Sequence, residues 1–239
     1  MGKKVIKPAS IQWMREHHAH LRVQDGCTVT GMLRFRANMV EHRKIDIYSG
    51  IVGEKEIGRP SYIEDAYDVS FYFDESYWPH VKEIGGRLKR RANELGIDMA
   101  EMHVLASNEL CLGAPHVIVA EMKKDASVRN LFKSLLIPYL YYHSYWEKHG
   151  SEPWGGLPHG ETGILEDFCD HMESAASRDV VQRTIDCLSL YGWKPPSRRR
   201  MSPRDLCFCG SRKPVKFCHP KARRGFNILF DACRNNRLT

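Results

Sequence analysis

Along "CTVTGMLRFRANM" (27–39) apolar and polar positions alternate, as they do on a strand with one buried face. Similar runs follow at "RKIDIYSGIVG" (43–53), "AYDVSFYFDE" (66–75) and "PHVKEIGG" (79–86). A helix carrying Ile11, Met14 and Leu21, with Ser10 as a possible cap, precedes them. From about residue 127 the period changes to that of helices. "SVRNLFKSLLIPYLYYHSYWEKHG" predicts a helix kinked or reset near Pro138, "GETGILEDFCDHMES" a second, and "SRDVVQRTIDCLSLYG" a third ending at Gly192. One helix, four β segments, an irregular loop and further helices make an α+β order. "WKPPSRRRMSPRD" follows neither period and reads as a linker. The expected boundaries are a body over 1–192, a basic Pro/Ser/Arg linker over 193–206 and a small tail over 207–239.

Composition changes this picture little. With 239 residues, 42% hydrophobic and 27% charged, the chain is globular and long enough for one core plus an appendage. The most apolar run, "LFKSLLIPYLYYHSYW", is interrupted by Lys133 and Pro138, so no membrane span is expected, and the start "MGKKVIKPAS" has no apolar leader core. A cytoplasmic location is the expectation. The net charge of +7 sits mainly near the end, from Arg198 to Arg224. That stretch lacks interleaved aromatics, so a base-stacking platform is not expected, although nucleic acid is not excluded as a partner of the basic tail.

The sharpest chemical signal lies in "LCFCGSRKPVKFCHP". Cys207, Cys209, Cys218 and His219 are spaced C-x-C-x8-C-H, three thiols and an imidazole suited to one closed, tetrahedral, structural Zn2+, with Gly210 permitting the tight turn. So short a piece buries no useful core, and metal ligation would supply its folding energy. These residues resemble the SEC-C motif found at the C-terminus of the bacterial preprotein translocase ATPase, which implies zinc and a docking role.

A second candidate is Cys111 in "EMHVLASNELCLGAPH", either a small packed hydrophobe between Leu110 and Leu112 or a nucleophile. The order of "GMLRF", "AYDVSFYFDESYWPHVKEIGG" and "MHVLASNELCLG" resembles the ubiquitin-conjugating enzyme (UBC) fold: an N-terminal helix, a four-stranded antiparallel meander, a proline-marked sheet end, a His-headed loop, a cysteine and C-terminal helices. Tyr77, Trp78 and Pro79 fit the sheet end, His103 the histidine, and Cys111 with Leu112 the reactive cysteine. The family's asparagine falls at Leu105, which donates no hydrogen bond, so Asn108, His116 or His159 would have to substitute.

What the resemblance implies is an acyltransferase of a bacterial, cytoplasmic, ubiquitin-conjugating-like kind. It would hold the C-terminus of a ubiquitin-like protein or a cGAS-like nucleotide cyclase as a thioester on Cys111 and pass it to an amine, with or without an activating enzyme, in an antiphage (antiviral) defence system. The alternative is a non-catalytic UBC-like binding module docked through its zinc-binding tail. Cys27, Cys169 and Cys187 are expected in the core, Cys233 as an exposed bystander, and Tyr139, Tyr141, Tyr142, Tyr145 and Trp146 as helix packing with wet hydroxyls.

Overall fold

The computed structural model describes residues 2–41, 44–49, 52–154, 160–171, 178–189 and 199–235. They form two compact units, the first of residues 1–104, 108–112 and 120–156, the second of 105–107, 113–119 and 157–239. The architecture is α+β, with an antiparallel sheet of five strands.

In the first unit, α1 (Pro8–His17) leads into β1 (Leu21–Gln24), β2 (Thr28–Glu41), β3 (Lys44–Ile47), a short α2 (Glu54–Ile57), β4 (Ile63–Phe73), β5 (Pro79–Glu83) and α3 (Arg87–Leu95). The path β1-β2-β4-β5 is a meander, with β3 paired to the far end of β2. β2 and β4 run opposed over nine residue pairs, from Val29↔Phe71 to Ala37↔Ile63. Alternation places Val29, Leu33, Phe35 and Ala37 of β2 and Tyr67, Val69, Phe71 and Phe73 of β4 in the core. Leu21 opens β1 opposite Gly31 instead of extending α1, because the helix closes at His18, whose N–H reaches Met14. Ser10 is buried inside α1 and Lys7 is the N-cap.

After α4 (Pro115–Lys124), α5 (Val128–Leu131), a π-helical segment (Phe132–Leu136) and α6 (Ile137–His149) run on without a break. Ser127 caps them by accepting from the Asn130 N–H. The kink expected at Pro138 is replaced by the wider π turn just before it; proline has no N–H to donate, and a wide turn is one way to house that gap. Leu136, Leu140 and Tyr141 are fully buried, and Phe132 meets Phe71 of the sheet edge-on at 5.5 Å. Arg87 forks onto Asp65 at 2.8 Å on both nitrogens and reaches Glu147 at 2.8 Å. Burial alone would raise the Asp65 carboxyl, yet the Arg87 guanidinium wins and holds it below the usual range.

The second unit is helical. Leu165 and Phe168 of α7 (Gly160–His171), Val181 and Leu188 of α8 (Arg178–Ser189) and Leu229 of α10 (Pro220–Asn235) share one buried cluster, after a short α9 (Val215–Cys218). On sequence, α7 and α8 belonged to the body and the last residues to a separate tail; here they share a core. Of the expected linker, 193–198 lies outside the described residues. Residues 199–205 are tied down: Arg199 forks onto Asp205 at 2.7 and 3.0 Å, and Arg200 onto Asp231 at 3.0 and 2.6 Å. Cys233, expected to be exposed, is 5% exposed on the inner face of α10, while Cys27 is half-buried at a turn and accepts no core position.

Candidate functional site

A small loop brings the C-terminal cysteines and histidine together. Leu206 bridges Pro214, the Cys207 N–H donates to the Lys213 carbonyl at 3.0 Å, and the Val215 N–H to Asp205 at 2.8 Å. Between them Gly210 takes φ 73°, the left-handed turn expected of it. Cys218 ends α9 and His219 stands at the junction with α10. Cys207 Sγ lies 3.1 Å from His219 Nδ1, Cys209 Sγ lies 3.4 Å from Cys218 Sγ, and all four ligand atoms fall within 4.8 Å of one another. A tetrahedral ion with bonds of about 2.3 Å to sulfur separates its ligands by roughly 3.8 Å, so this cluster could hold one metal ion.

Electrostatics suit that use. The Ser211 hydroxyl and amide pull the Cys209 thiol below its ordinary range, toward the thiolate that ligates metal, while burial pushes Cys207 up until an ion compensates it. The cluster is anchored in the second unit's packing, where Phe208 meets Phe226 at 5.5 Å and Val215 is fully buried.

Cys111 is held in the first unit by its main chain. Val104 and Leu110 form an isolated bridge, the Leu110 N–H donates to Val81 of β5 at 2.8 Å, and the Cys111 N–H donates to the His103 carbonyl at 2.7 Å. His103 (φ 51°) and Asn108 (φ 60°) adopt the left-handed region, which turns the loop tightly enough to close that bridge. Cys111 is half-buried and Asn108 exposed. His103 contributes its carbonyl to the cysteine, and its ring meets Tyr142 edge-on at 6.1 Å. Leu105 is half-buried. His116 pairs with Asp167 at 3.1 Å in the second unit, and His159 lies outside the described residues.

Two parts of this setting escaped the sequence reading. Tyr139 is a buried anchor with a dry hydroxyl, donating to the Met102 carbonyl at 2.8 Å and approaching the His103 carbonyl at 3.4 Å. Burial first, and the nearby Cys111 second, raise its phenol well above the ordinary value, so it stays a neutral donor. Glu109, two residues before the cysteine, accepts from His80 at 3.1 Å; His80 stacks on Tyr72 at 4.6 Å and lies 3.7 Å from the buried Asp74. Asp74, just past the end of β4, is 1% exposed and accepts from the Ser76 and Trp78 N–H groups. Tyrosine spacing and a glutamate beside Leu110 were visible in the sequence, but neither signals a partner so distant along the chain.

Tyr139→Phe removes the buried hydroxyl that donates to the Met102 carbonyl, a cost of about 1–3 kcal/mol. The expected result is a lower melting temperature together with a severalfold faster alkylation of Cys111, read by mass spectrometry of timed quenches.

No protein-family model, curated protein or solved structure matches this chain. No helix among the described residues is long and apolar enough to cross a membrane.

Proposed function

We propose that the chain is a bacterial, cytoplasmic, ubiquitin-conjugating-like acyltransferase whose nucleophile is Cys111. The Cys111 thiolate adds to the activated C-terminal carbonyl of a partner protein and the activating group leaves; an amine nitrogen then attacks the thioester and the thiol departs with its proton restored. The observation that carries the reading is the pinning of the Cys111 amide to the His103 carbonyl at 2.7 Å on a loop hooked to the sheet edge. The succession of α1, an antiparallel meander, this loop and the helices after it supports a UBC-like arrangement. The donor that the family's asparagine would supply is absent at Leu105, and the exposed Asn108 is the described residue best suited to replace it. His103 shapes the loop through its carbonyl, and His159 stays a candidate donor.

In the same proposal the Cys207, Cys209, Cys218 and His219 cluster holds one structural zinc as a SEC-C-like knuckle that docks the chain to another protein. Four protein ligands leave no open position for substrate. The acyl donor would be a ubiquitin-like protein or a cGAS-like cyclase, delivered by an activating enzyme, in antiphage defence.

A short iodoacetamide pulse at neutral pH tests the nucleophile. Cys111 should be labelled well before Cys169 and Cys233, which are 9% and 5% exposed, and Cys111→Ala should abolish any thioester while leaving the circular dichroism spectrum unchanged. A Cys111 that stays unlabelled until denaturation makes it a packing residue, and the chain a UBC-like binding module without catalysis.

A further inference from the structure

A cavity of about 740 Å³ lies in the first unit, away from Cys111, lined by four basic side chains beside three carboxylates. Arg34 and Arg36 reach it from β2, Arg129 from α5 and Lys133 from the π-helical segment. Among the described residues, none of the four has an ion-pair partner: Arg34 Nε touches the Met32 sulfur at 3.4 Å, and Arg36 stands opposite Glu64 in the ladder without pairing to it. Among the described residues, the carboxylates on the same wall form no ion pair with them. Asp65 is already taken by Arg87, Glu64 accepts from the Tyr62 hydroxyl at 3.2 Å, and Asp46 is exposed.

Two features mark this as a built space. β1 pairs with β2 only as far as Gly31, β3 joins it from Ala37, and the Tyr48 N–H donates to the Arg36 carbonyl at 2.8 Å, so residues 32–35 of β2 have a strand on one side alone. The cavity occupies that break. Its opposite wall is the π turn, a rare geometry concentrated at functional sites, which carries Phe132 and Lys133 to the lining. Trp13, Tyr48 and Phe132 add aromatic surface.

We propose that this cavity binds a small phosphate-bearing anion, a function separate from the acyl transfer proposed for Cys111. Four basic groups without ion-pair partners line the cavity beside three carboxylates, one of which is held by Arg87; a ligand with several negative oxygens takes up the unpaired positive charge and offers the bidentate geometry that arginine prefers. The volume lies within the range of small-molecule sites and admits an organic part beside the phosphates.

Calorimetric titration of the full chain with inorganic pyrophosphate, ATP and citrate tests it. Pyrophosphate or ATP should bind with a dissociation constant below about 0.1 mM at low salt, and weaken as salt rises. Lys133→Gln and Arg129→Gln should each weaken binding by about tenfold at an unchanged melting temperature, Lys133→Arg should retain it, and Arg212→Gln with Lys213→Gln in the metal-binding loop should leave it unaltered. Equal affinity for ATP and pyrophosphate makes phosphate the whole determinant; tighter ATP binding assigns the remaining space to the organic part. Absence of binding at about 1 mM, citrate binding as tightly as pyrophosphate, affinity unmoved by Lys133→Gln, or loss of binding in the metal-loop variant would each overturn the proposal.

Discussion

Cys207→Ser combined with Cys209→Ser should reduce bound zinc from about one per chain to none and unfold far more than the metal loop. Ligation of a closed zinc site in small domains is worth on the order of 10 kcal/mol, and serine is a poor ligand. The loop is continuous with α10, and α10 shares its core with α7 and α8 through Leu165, Phe168, Val181 and Leu229. Helical signal from all three helices should therefore melt early, by an amount on the order of 5 kcal/mol or more of lost stability. The sheet unit has its own core of Val29, Leu33, Val69 and Phe71 and should keep its transition. Elemental analysis and far-ultraviolet melting curves would show this; full zinc retention in the double variant would place the metal elsewhere.

Gly225→Ala should be nearly as damaging, although alanine is the better helix former by about 1 kcal/mol. A Cβ at Gly225 of α10 would stand 1.8 Å from the Leu165 carbonyl oxygen and 2.8 Å from its carbon. Both are backbone atoms, so no side chain can swing aside and the two helices must move apart. Overpacking of this kind costs roughly 3 kcal/mol or more, which outweighs the gain in propensity. Calorimetry should record a lower transition for the helical unit, and a rise in stability would show that the helices do not cross so closely.

Strands β2, β4 and β5 were legible because one face is buried and the other wet, the condition under which alternation carries information. The helix α3 was not, because only Leu88 and Ala92 of "RLKRRANEL" are buried, too few to print a period, although Gly86 and Gly96 frame it at φ 72° and 66°. α10 was masked by its charge: its basic residues hide the period of an amphipathic helix whose inner side is Ala222, Leu229 and Cys233. The metal cluster was readable from spacing alone, since ligands close in sequence need little help from the fold to meet. The Cys111 loop was readable as a loop, but its anchors were not. Tyr139 reaches Met102 across 37 residues, and no local pattern records such a partner.

The shared core of α7, α8 and α10 also sets an order of events during synthesis. When Ser189 has left the ribosome, the apolar faces of the first two helices are complete, but Leu229, the third helix and all four residues of the Cys207, Cys209, Cys218 and His219 cluster have still to be made. At about 5–20 residues per second, the stretch from 190 to 235 takes several seconds to appear, and through that interval Leu165, Phe168 and Val181 face water or a chaperone. On the proposed zinc site, metal supply would act after these two helices are made, as a gate on maturation that newly made molecules meet and finished ones have already passed.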